Sequence, residues 1–412
     1  QLAGGPLGIA LGLEARHESV RLDPTSGTDR GNIVGLGYSA YSGSRNAYAG
    51  FAEVVAPVLK SLELSGAMRA DHYSDVGNSY TPKLGAKWTP VKQIALRGTY
   101  AEGFRAPSPA ENGVGGLAAF ANAADPLRCG LGVPEACDPG QVAIITSPNR
   151  DLKPEKSKSA SLGIVWDPLP KTSLSVDFWE IRRHNEINQE NTSAAIAAGH
   201  VARDPSTASV AGDPGQITAV LARYVNSNQT TVRGVDLDFR QGFDLGGGNG
   251  NVTFGANWTH LFTWLRKEQD GTTFEFAGTH GNCDVTNCIG TPSDRVNLSA
   301  AWEQGRWTVA TILNYRGAIK NVLFENDPDG CASTFADGTP APAGCKVKSF
   351  TTVDMTFRFK ATDKIELFGG IQNLFDKIAP FDPLTYGATG YNPLDYSGAV
   401  GRFFSVGLRY TF

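Results

Sequence analysis

The sequence predicts an all-β protein, an antiparallel transmembrane β-barrel of the outer-membrane type. Three observations predict it. Apolar and polar residues alternate with period two along stretch after stretch. The connections between those stretches alternate between tight and long. The chain also ends inside such a stretch. Phe404, Val406, Leu408, Tyr410 and Phe412 fall on one face, and Phe403, Ser405, Gly407, Arg409 and Thr411 on the other.

Composition agrees. The 412 residues carry a formal charge of −4, so no broad basic field points to nucleic acid. Charged residues make up 19 %, aromatics 10 %, and there are 48 glycines. The charged share lies below the roughly 25 % usual in soluble domains. No apolar run reaches the roughly 18 residues of a spanning helix. The start, QLAGGPLGIALGLEARHESV, has no basic leader region and no clear cleavage site. It reads as the middle of a longer pattern.

About fourteen strands of around ten residues each are expected, the length of a tilted membrane-spanning strand. They lie near 8–22, 47–59, 61–73, 80–90, 93–104, 156–168, 172–187, 231–243, 250–265, 294–304, 306–318, 349–360, 364–376 and 402–412. TTVDMTFRFK shows the pattern: Val353, Met355, Phe357 and Phe359 alternate with Asp354, Thr356, Arg358 and Lys360. Residues 1–412 read as one β-barrel domain, with no boundary among the strands.

The tight connections are PVLKS, TPVKQ, DPLPK, LGGGNG, EQGR and ATDK. The long ones are 105–155, 188–230, 266–293, 319–348 and 377–401, and only the gap at 74–79 is short on that side. An outer-membrane barrel has this asymmetry, with short periplasmic turns and long extracellular loops. All six cysteines fall in long loops: Cys129 and Cys137, Cys283 and Cys288, Cys331 and Cys345. Three close pairs suggest local disulfides in an oxidising compartment. His280 precedes one pair, but no second ligand pair follows at zinc-site spacing. Trp88, Trp166, Trp302, Trp307 and Tyr410 lie at the turn ends of strands, where a barrel places an aromatic girdle.

The terminal strand follows from the solvent. In lipid every backbone group must pair within the protein, and a barrel does this by closing. A strand that pairs along its whole length needs no polar tail.

Several stretches resemble the barrel of TonB-dependent outer-membrane receptors, in that family's order from about residue 47 onward. YAEGFRAPSPAE (100–111) is similar to its strand-to-loop segment around Phe-Arg-Ala-Pro. NRDLKPEKSKSASLGI (149–164) is similar to its Asn-x-x-Leu-x-Pro-Glu segment, and LSVDFWEIRRHNEI to the strand after it. TTVRGVDLDF resembles a strand with a Gly-Val-Asp centre, and IQNLFDK (371–377) the end of the penultimate strand. The terminal strand, with Phe404, Val406, Leu408, Tyr410 and Phe412, resembles the family's outer-membrane insertion signal.

The resemblance implies the C-terminal part of a receptor whose whole barrel has about 22 strands and a plugged lumen. The plug, the TonB-contacting segment and the first strands are not in this sequence. A smaller closed barrel of these strands alone is the alternative. The implied function is import of a scarce ligand, such as a ferric siderophore or another large nutrient. TonB energises it through the plug. The implied partners are outer-membrane lipid, TonB, the outer-membrane assembly machinery and an external metal chelate. A passive porin and a non-transporting adhesin or scaffold are the rival readings.

No covalent chemistry is legible, and no cofactor is expected. LGGGNG lacks the Gly-Lys-Ser/Thr ending of a phosphate loop. There is no Gly-x-Ser-x-Gly elbow and no histidine pair at metal or catalytic spacing. Ligand contacts are expected from external loops on the rigid scaffold, with Arg105, Arg150, Tyr224, Phe324, Phe381, Tyr386 and Tyr391 as candidates. NTSAAIAAGHVARD is expected to form a short helix capped by Asn191 or Thr192, and DPGQITAVLARYV a second.

Overall fold

A strand satisfies its backbone groups only by pairing edge to edge with its neighbours, and pairing of these alternating stretches gathers their apolar side chains on one face. A computed structural model describes residues 1–28, 38–280, 290–320, 346–382 and 390–412. The strands are β1 (Gly8–Leu22), β2 (Tyr38–Leu59), β3 (Leu62–Tyr73), β4 (Gly77–Val91), β5 (Ile94–Arg105), β6 (Val114–Ala123) and β7 (Gly140–Ser147). They continue with β8 (Glu155–Trp166), β9 (Thr172–Gln189), β10 (Val201–Asp204), β11 (Gln216–Asp244), β12 (Asn251–Lys267), β13 (Thr273–Glu275) and β14 (Asp294–Gln304). The last are β15 (Trp307–Arg316), β16 (Ile319–Lys320), β17 (Lys346–Val347), β18 (Phe350–Lys360), β19 (Ile365–Gln372) and β20 (Phe403–Tyr410).

The wall is one antiparallel meander: β1–β2–β3–β4–β5–β8–β9–β11–β12–β14–β15–β18–β19–β20. Among the described residues β1 pairs only with β2, and β20 only with β19. Register carries one face around the whole wall. Leu13 lies opposite Gly50, Gly50 opposite Ala70, and Ala70 opposite Tyr80. At the far end Phe357 lies opposite Gly369, and Gly369 opposite Val406. This outward face is apolar and bare: Leu13 is 93 % exposed and Val406 81 %. So much exposed apolar surface is out of place in water and ordinary in lipid. Trp88, Trp166, Trp307 and Tyr410 stand half-exposed on it at the tight-turn end.

The tight turns have local causes. In Leu245–Gly250 four glycines take left-handed φ, and a Cβ at Gly250 would lie 2.1 Å from the Glu303 carbonyl oxygen. The turn therefore needs glycine there.

At the opposite end the long connections fold. β6 and β7 pair with each other, β6 also with β2, and β7 runs parallel to the upper half of β11. β11 begins at Gln216, well ahead of the expected 231. This corrects the second expected helix: DPGQITAVLARYV is strand from Gln216 onward. Ile217, Ala219, Val220 and Ala222 are buried, and β10, β7 and β9 supply backbone partners. Tertiary pairing outweighs the weak helical preference of a short segment. The first expected helix forms at Thr192–Ala197, and the Asn191 side chain accepts from the Ser193 and Ala194 amides. Val142, Ala195, Ile196, Ile217 and Val220 make a small apolar core inside this loop assembly.

Candidate functional site

The inward face is polar and cross-linked. Arg69 donates to Glu14 and Asp71 at 2.9 Å each, and Arg16 donates to the Tyr73 hydroxyl at 2.8 Å. Arg97 Nε meets Asp177 at 2.7 Å, and Arg409 meets Glu366 at 3.1 Å. Asp236 accepts from Thr259 at 2.7 Å and Asp238 from Asn257. These side chains face a wet interior and hold neighbouring strands in register.

At the long-loop end the sequence motifs act as clamps. Arg105 is bidentate to Glu111 at 2.8 and 2.9 Å and reaches Glu155 at 2.6 Å. Glu111 in turn accepts from the Ser108 amide and closes a capping box on the short helix Pro109–Asn112. Glu155 also accepts from the Ile187 amide. The Asn149 side chain donates to the Tyr224 carbonyl at 2.9 Å, and its amide donates to the Glu111 carbonyl at 2.7 Å. Asn226 bonds Lys153 both ways at 2.8 Å. Asn373, fully buried and at φ 48°, donates to the Lys377 and Ser397 carbonyls and accepts from the Lys377 amide.

Two long loops are riveted by buried ion pairs. Arg128 forks onto Asp213 at 2.9 and 3.0 Å. Arg203 forks onto Asp125, with one arm at 3.1 Å. The Arg128 guanidinium holds the Asp213 carboxyl well below the ordinary range. Burial pushes Asp125 up, but Arg203 and backbone amides outweigh it and the net shift is downward. Cys129 and Cys137 are disulfide-bonded beside Arg128. Cys283, Cys288, Cys331 and Cys345 lie outside the described residues. A second cluster lies under the C-terminal loops. Arg316 Nε donates to buried Asp395 at 2.8 Å, His280 lies 3.3 Å from Asp382, and Asn392 donates to Asp382 at 2.9 Å. Burial raises the Asp395 carboxyl, opposed by Arg316.

Between β2, the Pro109–Asn112 helix and the Asn149 clamp lies a cleft of about 380 Å³, lined by Arg45, Asp75, Asn112 and Arg150 among others. Arg45 is committed to Glu18 at 2.6 Å and to the Pro107 carbonyl at 2.7 Å. Arg150 is exposed and forms no ion pair among the described residues.

The candidate ligand residues therefore divide. Arg150 stands at the cleft. Arg105 is spent on Glu111 and Glu155. Tyr224 is half-buried beside the Asn149 clamp, and burial raises its phenol pKa. Phe381 and Tyr391 face each other across a β-bridge that closes the base of the last long loop. Phe324 and Tyr386 lie outside the described residues. Arg45 went unread, though alternation carried back from Phe51 through Ala49 and Ala47 reaches it. The riveting pairs left no local signal, because their partners are 78 to 85 residues apart.

A wall with a lipid-type outer face, a polar inner face and folded loops at one end defines an outer-membrane β-barrel. Residues 3–374 match the family model described as "TonB dependent receptor-like, beta-barrel". The chain belongs to that family. It is 23 % identical over 394 residues to the probable TonB-dependent siderophore receptor PirA of Acinetobacter baumannii, covering 94 % of this chain and 46 % of that protein. It is 24 % identical over 376 residues to an iron-regulated outer membrane virulence protein of Vibrio cholerae, covering 90 % and 45 %. The crystal structure of the Acinetobacter baumannii siderophore receptor PirA superposes with a TM-score of 0.66 at 19 % identity, over 99 % of this chain and 52 % of that one. A ferric enterobactin receptor variant of Pseudomonas aeruginosa, in complex with enterobactin, gives 0.65 at 18 %, over 98 % and 52 %. At such identities the structural likeness speaks for the fold. The chain spans about half the length of these relatives.

Proposed function

We propose that this chain is the C-terminal portion of the barrel of an outer-membrane importer for a large, scarce, anionic ligand such as a ferric siderophore. The observation that carries the reading is the folded loop assembly at one end of the wall, with the Arg45–Arg150 cleft in it. The relatives, named as siderophore receptors, support the ligand class. In this reading the long loops are extracellular, and the tight turns and C-terminus are periplasmic. The plug and the strands that join β1 to β20 belong to the rest of the protein. TonB acts on that plug. The terminal strand, with Phe404, Val406, Leu408, Tyr410 and Phe412, is the signal for the outer-membrane assembly machinery.

A passive pore calls for an open mouth, whereas loops riveted by Arg128–Asp213 and Arg203–Asp125 favour a receptor. The test uses the full-length parent protein in cells given a radiolabelled ferric siderophore. Uptake stops when TonB is removed. Uptake that continues unchanged overturns the reading. Arg150→Ala weakens binding of an anionic chelate several-fold while folding is unaffected, which a ligand titration reads.

A further inference from the structure

Strand β2 changes partner partway along one edge. Towards the tight turns it pairs with β3, as far as Ala47 opposite Tyr73. Towards the long loops it pairs with β6, from Ser42 opposite Val114 onward. In an antiparallel ladder alternate residues turn amide and carbonyl to the same edge. Asn46 shows which residues of β2 face this one. Its amide donates to the Ser74 hydroxyl and its carbonyl accepts from the Ser74 amide, each at 3.0 Å. Ser44 faces the same way, and Ser42 after it meets β6. At Ser44 the chain of β3 has already turned away, and β6 has not yet arrived. The Ser44 amide and carbonyl therefore have no backbone partner on that edge among the described residues, and the residue is exposed. One rung of the ladder is missing.

The gap opens into the cleft of about 380 Å³ that Ser44 lines together with Arg45, Asp75, Asn112 and Arg150. Most of that polar lining is committed. Arg45 is bonded to Glu18, and Asp75 accepts from Asn112 at 2.9 Å. Arg150 keeps its charge free of ion pairs among the described residues. The cleft thus offers a ladder donor and a ladder acceptor side by side, next to one uncommitted cation.

We propose that this cleft takes a peptide-type ligand, whose extended amide chain completes the missing rung at Ser44 and whose carboxylate lies on Arg150. The inference rests on the cleft being the ligand site, as proposed above, and narrows the anionic ligand to one with a peptide backbone. The N–H and C=O of a strand residue are matched reciprocally by those of another extended chain. A carboxylate alone has no donor, so it leaves the Ser44 carbonyl without a partner.

The test uses the full-length parent protein folded in detergent micelles, with ligand-observed nuclear magnetic resonance as the readout. Heat-modifiable gel mobility is recorded first, so a failed barrel is distinguished from a failed site. The probes are N-acetyldiglycine, its N-methylated analogue, which has no amide donor, its C-terminal amide, which has no carboxylate, and acetate. The wild type binds N-acetyldiglycine at millimolar concentration. It binds the N-methylated analogue and acetate at least about threefold more weakly, the loss expected for a hydrogen bond. Ser44→Pro removes an amide that no strand pairs with and weakens N-acetyldiglycine about threefold or more. Arg150→Gln leaves the backbone of β2 untouched and abolishes the preference for N-acetyldiglycine over its C-terminal amide, so the test survives if proline disturbs β2. Lys83→Gln, the loss of a cation elsewhere on the wall, leaves binding unchanged. Equal binding of N-acetyldiglycine and its N-methylated analogue, wild-type binding by both cleft variants, or no binding by the wild type each overturns the proposal. The assay needs neither TonB nor transport, so such a failure is distinct from TonB-independent uptake, which overturns the importer reading.

Discussion

The wall and the loop assembly are held together differently. The wall has no core of its own. Its outward apolar residues are bare, and its inward residues are cross-linked in a wet interior. The loop assembly has a small dry core around Val220 and buried, bidentate ion pairs. The wall therefore depends on lipid as its apolar solvent, while the loops carry their order with them. A receptor built this way presents a fixed surface above a membrane that moves.

The largest effect expected is in the loops. Arg316→Met leaves Asp395 buried without its partner, and breaking such a pair costs about 3–5 kcal/mol. Asp395 has a raised carboxyl pKa, so its protonated form favours the folded state at low pH and the penalty grows as pH rises through the folded value. Hydrogen exchange around residues 390–400, corrected for intrinsic rate, should show greater loosening at pH 8 than at pH 5. Equal loosening at both would mean that Asp395 does not titrate there.

The wall gives the next effect. Val406→Arg puts charge on the lipid face, at roughly 2–4 kcal/mol near the midplane, whereas Ser405→Arg points inward. Heat-modifiable mobility of the complete receptor should show impaired assembly for the first and normal assembly for the second. Identical behaviour would mean the two faces are misassigned. Removing the Cys129–Cys137 bond with paired serines should loosen its loop by about 2–3 kcal/mol on the chain-entropy view. Proteolysis would then report new cuts between 125 and 140 while the wall stays intact.

The smallest effect is a pH dependence that should be missing. Asp213 and Asp125 are depressed, so their contribution is complete above the unfolded value of about 3.9 and is lost only as pH falls through the lower folded values. Exchange across residues 205–215, corrected for intrinsic rate, should not change between pH 7 and pH 5. A clear rise at pH 5 would show that the rivets titrate in the ordinary range.

The wall was legible in the sequence because alternation needs only a strand's own residues. Ile365, Leu367, Gly369 and Ile371 announce their face without any partner being known. The upper half of β11 was misread as a helix because its parallel pairing with β7 joins segments far apart in the chain. The cleft was half legible. Arg150 could be picked as an exposed loop cation, but the commitment of Arg105 to Glu111 and Glu155 could not, since Glu155 lies in the next wall strand. The conspicuous motifs stood out for a different reason from the one first attached to them. Phe-Arg-Ala-Pro and Asn-x-x-Leu-x-Pro-Glu carry the clamps at the loop bases.

That clamp has a consequence for how such proteins change. The Asn149 amide bonded to the Glu111 carbonyl, and Arg105 bonded to Glu111 and Glu155, fix where the loop leaves the wall and where it returns. The 113–148 segment is thus a cassette plugged into a socket. Its length and chemistry can be rewritten while the strands on either side keep their register, so the loop can diverge without a redesign of the barrel.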